Sequence, residues 1–177
     1  MFKPKLPQQE QGFTLVEVLV AILITTIFVA VSMQAMVLAA VFKARAQEYA
    51  EATTWIQEDL ENVKYQASRY KDETECTATK VDDGYADGLR DSLVKLGDLT
   101  GSKIGNQTSS YSETFDKSTR TNKNFRLTRT TNPVDIAPYN RLEVRYDVAP
   151  ITSTNTVGSS IANFYTEVIP DGVFKCP

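Results

Sequence analysis

Hydrophobic and polar positions divide this chain into stretches of different rhythm. Up to Gln11 the residues are largely polar, with Lys3, Lys5, Glu10 and prolines at positions 4 and 7, a composition that does not sustain a helix by itself. From Phe13 to Phe42 the only charge is Glu17, and roughly twenty apolar residues suffice to cross a bilayer. Further on, Phe42, Ala46, Tyr49, Thr53, Ile56, Leu60, Val63, Ala67 and Tyr70 recur at intervals of three or four, with Lys43, Gln47, Glu51, Glu58, Glu61 and Lys64 on the remaining positions. That spacing predicts an amphipathic helix. No Gly or Pro falls between Phe13 and Tyr70, so one helix of roughly 85 Å is expected at 1.5 Å per residue. Its first half suits a bilayer, and its second half suits the face of a soluble domain.

After Lys71 the rhythm changes. Gly84, Gly88, Gly97, Gly101 and Gly105 punctuate a polar stretch, in which Leu89, Leu93 and Leu96 predict a short helix from Gly88 to Leu96 closed by Gly97. Thr100 to Asn124 reads as an exposed, mobile excursion. Arg141 to Val148 alternates strictly, with Leu142, Val144, Tyr146 and Val148 on one side and Arg141, Glu143, Arg145 and Asp147 on the other, the pattern of a half-buried antiparallel strand. Asn124–Thr130 and Ala162–Ile169 show the pattern less purely. Both strands and amphipathic helix need an apolar face covered. The expected fold is therefore α+β: a long N-terminal helix packed on a small antiparallel sheet head.

Composition narrows the chemistry. Histidine is absent, neither cysteine has a base near it in sequence, and no glycine-rich phosphate loop is present. Acid–base, nucleophilic and nucleotide chemistry lack their usual parts, so no catalytic residue, cofactor or metal is expected. Asp82, Asp83, Asp87 and Asp91 match no standard calcium loop and read as solvated turns. Lys117, Arg120, Lys123, Arg126 and Arg129 form a basic stretch, but a period of three cannot place all five on one strand face. With 19 cations against 22 anions, a net charge of -3 and few neighbouring aromatics, the stretch disfavours nucleic acid as a partner. Binding of DNA or anionic polysaccharide by the head is kept as the alternative class.

The most informative junction is Gly12-Phe13, where the polar leader meets the apolar run. A secretory signal has a shorter apolar region and is removed whole. A plain membrane anchor leaves Glu17 unexplained, because an acid within a spanning helix costs roughly 2.5 to 3.5 kcal/mol at its centre and less near an end. The macrodipole of a helix N-terminus also favours an acid there. Residues Gly12-Phe13-Thr14-Leu15-Val16-Glu17-Val18-Leu19-Val20-Ala21 resemble the processing and methylation signature of the type IV pilin-like family, which includes pilins and secretion pseudopilins. The resemblance implies cleavage by a membrane aspartyl prepilin peptidase between Gly12 and Phe13, methylation of the new Phe13 amine by a methyltransferase, and retention of the apolar segment.

Glu17, one turn along, would neutralise that amine on its own chain or on a neighbour and so set the assembly register. The chain then divides into a leader (1–12), a transmembrane and assembly helix (13–42), its amphipathic continuation (43–70) and a soluble head (71–177). Implied partners are the processing enzymes, other pilins or pseudopilins, an inner-membrane assembly platform and membrane lipid. Lys3 and Lys5 before the span and Lys43 and Arg45 after it give no charge asymmetry to orient the helix. The resemblance instead implies a single-pass inner-membrane protein with an extracytoplasmic head, later part of a pilus or pseudopilus. Cys76 and Cys176 are then either free thiols or, as that compartment favours, a disulfide. Such a bond would close a loop worth about 4 to 5 kcal/mol in the chain-entropy picture. A staple from helix end to chain end, in place of one bracketing a late loop, leans toward a minor pilin or a secretion-type pseudopilin. Unlike many members of the family, the chain has no Gly or Pro inside its first helix.

Overall fold

The computed structural model describes residues 14–71, 76–97, 111–120, 122–152 and 154–176. The leader, with the Gly12-Phe13 junction, lies outside the described residues. So do residues 98–110, the first part of the expected excursion. The chain forms two units, Met1–Ala46 and Gln47–Pro177.

Helix α1 runs Leu15–Arg69, and the part within the first unit carries the apolar run. Its hydroxyl groups are satisfied by the helix itself. Thr25 Oγ1 donates to the Ala21 carbonyl at 2.7 Å, Thr26 Oγ1 to Leu23 at 2.9 Å and Ser32 Oγ to Phe28 at 2.8 Å. This back-bonding leaves those hydroxyls without a demand on solvent, as hydrocarbon surroundings require.

In the second unit, α1 buries Ala52, Ile56, Leu60, Val63 and Ala67, which lie three or four apart on one face. Phe42 is 65% exposed and Tyr49 is also exposed, so the upper end of the expected stripe is not core. Lys123, at the tip of a hairpin, pairs with Glu48, and the Arg120 N–H donates to Glu51 Oε2 at 3.4 Å. Thus the face turned to the sheet passes through Glu48, Ala52 and Ile56, and Tyr49 falls outside it. Trp55 borders this face, its ring centroid 5.9 Å from that of Phe125.

The sheet has four antiparallel strands in the order β1-β2-β3-β4: β1 Tyr111–Ser118, β2 Asn124–Pro133, β3 Leu142–Pro150 and β4 Ala162–Val168. Phe125 and Leu127 of β2 and Leu142, Val144, Tyr146 and Val148 of β3 point into one cluster with the α1 face. Each such aliphatic side chain contributes about 1.5 to 3 kcal/mol when fully buried. The expected α+β architecture is therefore the observed one, and the alternation read in β3 is the inward face.

Two expectations need correcting. The segment read as an excursion from Thr100 to Asn124 contains β1, whose residues alternate half-buried and exposed. Its inward positions include Glu113 and Lys117, held by ion pairs with Arg129 and Glu58. Charged residues on both faces gave no hydrophobic alternation to detect. The short helix α2 runs Tyr85–Gly97, beginning before Gly88 because Tyr85 and Ala86 are buried together with Leu89 and Leu93. Gly84 caps it: its carbonyl accepts the N–H of Asp87 at 3.0 Å and of Gly88 at 3.1 Å. A Cβ on Gly84 would lie 2.5 Å from the Tyr139 carbonyl oxygen, so the β2–β3 connection packs directly on its backbone. The Ala86 N–H donates to that same oxygen at 3.2 Å.

Candidate functional site

The N-terminal end of α1 is built by Thr14 and Glu17. The Glu17 N–H donates to the Thr14 carbonyl at 3.0 Å and lies 3.3 Å from Thr14 Oγ1. Thr14 is thus the cap of a Thr-x-x-Glu arrangement, satisfying a donor that the helix start leaves unpaired. This role of Thr14 went unread in the sequence, although the spacing of a hydroxyl three residues before an acid was its signal. Glu17 falls in the first turn, where the macrodipole favours an anion, and its side chain has no ion pair among the described residues. Below it Leu19, Leu23, Phe28, Val31, Met36 and Val41 are all exposed. The stretch is long and apolar enough to cross a membrane, and none of its residues is buried among the described residues.

In the head, the basic stretch is spent internally. Arg129, only 5% exposed, places Nη1 3.0 and 2.9 Å from the two carboxylate oxygens of Asp59 and pairs through Nη2 with Glu113. Tyr146 donates its hydroxyl to Asp59 Oδ2 at 2.7 Å. Burial, then the adjacent Asp59 carboxylate, holds the Tyr146 phenol far above its ordinary pKa, so it serves as a permanent donor. Lys117 pairs with Glu58 at 3.6 Å, Lys123 with Glu48, and Arg126 with Asp116 at 2.9 Å. Four of the five cations therefore have carboxylate partners on α1 or β1, and a polyanion would have to compete for them. Asp59, the centre of this network, was not singled out in the sequence. Its signal was position: it lies three residues after Ile56 and four before Val63, on the core face.

The aspartates near α2 also have an internal role. Arg90, buried at 3% exposure, lies 2.6 Å from Asp87 and 3.2 Å from Asp91, and Lys80 is 3.5 Å from Asp83. Burial pushes the Asp87 carboxyl up to about 6; the Arg90 guanidinium opposes the shift, and Asp91, Asp82 and Asp83 add to it. No group of three metal-ligating side chains occurs among the described residues. Cys76 and Cys176 are joined by a disulfide with Cα atoms 5.5 Å apart. The Tyr85 hydroxyl lies 3.5 Å from Cys76 Sγ, and the Tyr85 ring meets Tyr70 edge-on at 6.2 Å.

Of the residues singled out for processing and assembly, Glu17 is placed at the exposed first turn of α1, whereas Gly12 and Phe13 lie outside the described residues. A family model, the prokaryotic N-terminal methylation motif, matches residues 7–33. No curated protein and no solved structure matches the chain.

Proposed function

Because this chain is type IV pilin-like, bearing the methylation signal of such precursors, we propose that it is a structural, non-catalytic subunit, a minor pilin or secretion-type pseudopilin. The reading rests on one coincidence: the signal leads into an apolar helix surface of which nothing is buried among the described residues. In the membrane, lipid covers that surface before assembly. In a pilus or pseudopilus, the equivalent helices of sister subunits cover it.

On this reading residues 1–12 are removed by prepilin peptidase between Gly12 and Phe13, and the Phe13 amine is methylated. The segment 13–42 spans the inner membrane once and is the assembly helix, 43–70 continues it, and 71–177 is an extracytoplasmic head. The Cys76–Cys176 bond supports that topology, since disulfides persist in oxidising compartments. Glu17 has no counter-charge within the described residues, and a carboxylate carried into a low-dielectric bundle needs one. The Phe13 amine, its own or that of an incoming subunit at the assembly platform, supplies it and sets the register between neighbours.

The test is Glu17→Ala expressed in the native host. Mass spectrometry should find the mutant cleaved after Gly12 as in wild type, while its recovery in sheared filaments or in cross-linked pseudopilus drops severalfold. Incorporation at the wild-type level would remove the role assigned to Glu17. An uncleaved wild-type protein would remove the whole reading.

A further inference from the structure

The outward face of the sheet carries a second constellation that assembly through α1 does not use. Strand register sets Thr128 opposite Asp147 and Asp147 opposite Asn163; the neighbouring rung aligns Thr130, Arg145 and Tyr165. These six residues, with Tyr146 and Phe164, line a shallow recess of about 370 Å³, at the small end of the volumes typical of ligand sites. A second recess of about 270 Å³ continues from it past Thr130 and Arg145.

Two features separate this surface from an ordinary solvated strand face. First, the side chains of Thr128, Asp147 and Asn163 have no hydrogen-bond or ion-pair partner among the described residues. They present a carboxylate that only accepts, an amide that donates and accepts, and a hydroxyl that does both. Second, Tyr165 is 47% exposed yet held in place. The Arg145 guanidinium lies 5.1 Å from its ring centroid, and its hydroxyl sits 3.0 Å from Glu167 and 3.2 Å from Glu143. An aromatic plate fixed before binding loses little freedom when a ligand settles on it.

We propose that these two rungs bind a neutral saccharide. A sugar ring offers an apolar C–H face to an aromatic plate and adjacent hydroxyls that both donate and accept, which matches Tyr165 beside the Asp147–Asn163 pair. Charge selects against the other occupants. Arg145 is offset by Glu143 at 3.9 Å and the nearby Arg141 by Glu167 at 3.3 Å, which leaves Asp147 as an uncompensated carboxylate facing any polyanion. Phe164, also exposed at this recess, stands among polar side chains with no aliphatic neighbour in the lining, too little apolar surface for the dry centre of a protein–protein contact.

The detergent-solubilised full chain, applied to a printed array of neutral and acidic oligosaccharides, tests this. At least one neutral oligosaccharide should bind. Titrated in solution, Tyr165→Ala and Asp147→Ala should each weaken that binding about tenfold or more, while Lys64→Ala, on the outer side of α1, leaves it unchanged. All three variants should remain folded by Trp55 emission at the assay temperature, since the replaced side chains lie on the surface. Capture of acidic glycans alone, no neutral glycan bound, or undiminished affinity in both sheet variants would overturn the proposal.

Discussion

Asp59→Ala is the sharpest test of how the head is held to its helix. The substitution removes the carboxylate that receives both Arg129 and the Tyr146 hydroxyl. Arg129 is 5% exposed and Asp59 13%, so water does not replace the lost partner. Breaking one side of a buried pair costs about 3 to 5 kcal/mol, and a buried hydroxyl left without an acceptor costs about 1 to 3 kcal/mol. Glu113 remains on Arg129, which places the expected loss near the lower sum, about 3 to 5 kcal/mol. Small domains are stable by roughly 5 to 15 kcal/mol, so the variant should remain folded at low temperature but melt roughly 10 to 20 °C lower. The chain's single tryptophan, Trp55, packs on Phe125 within this seam, so its emission follows head unfolding without interference from a detergent-bound helix. Asp59→Asn, which keeps an acceptor for Tyr146 but not the charge, should fall between wild type and Asp59→Ala. Glu58→Ala removes a side chain that is 69% exposed and breaks only its pair with Lys117, and should cost at most about 1 kcal/mol. Equal melting shifts for Asp59→Ala and Glu58→Ala would refute the distinction between a buried and an exposed pair on which the argument rests.

Three further outcomes follow from the head. The Asp87 carboxyl, raised to about 6 from its ordinary 3.8, binds its proton more tightly in the folded state. The stability from that proton is complete below pH 3.8 and is lost as the pH rises through about 6. Wild type minus Asp87→Asn, measured by denaturant titration between pH 4 and 7.5, should show this slope; a flat difference would contradict it. Gly84→Ala puts a Cβ 2.5 Å from the Tyr139 carbonyl oxygen and should lower stability by about 1 to 3 kcal/mol through overpacking, read as a shift in denaturant midpoint at constant slope. Cys176→Ser removes the Cys76–Cys176 bond and should cost about 2 to 5 kcal/mol; wild type measured in reductant should reproduce that loss, and an unchanged midpoint in both would deny the bond a stabilising role.

Local pattern made several features legible: the apolar run with one acid behind a glycine, the alternation of Leu142, Val144, Tyr146 and Val148, and the amphipathic stretch through Ile56, Leu60, Val63 and Ala67. Each depends on residues a few positions apart, because membrane burial and sheet alternation act on neighbours in sequence. The tertiary structure alone decided which face of α1 meets the sheet: Tyr49 continues the three-and-four spacing read in the sequence, yet the hairpin tip packs on the neighbouring Glu48 and leaves Tyr49 exposed. It also decided that Tyr111–Ser118 is a strand and that the basic stretch is neutralised. Glu113 and Lys117 are compatible with an inward strand face only because Arg129 and Glu58 meet them there. Ion pairs and hydrogen bonds join residues 16 to 87 positions apart in this network, and nothing in the local spacing of charges specifies which distant partner the fold will supply.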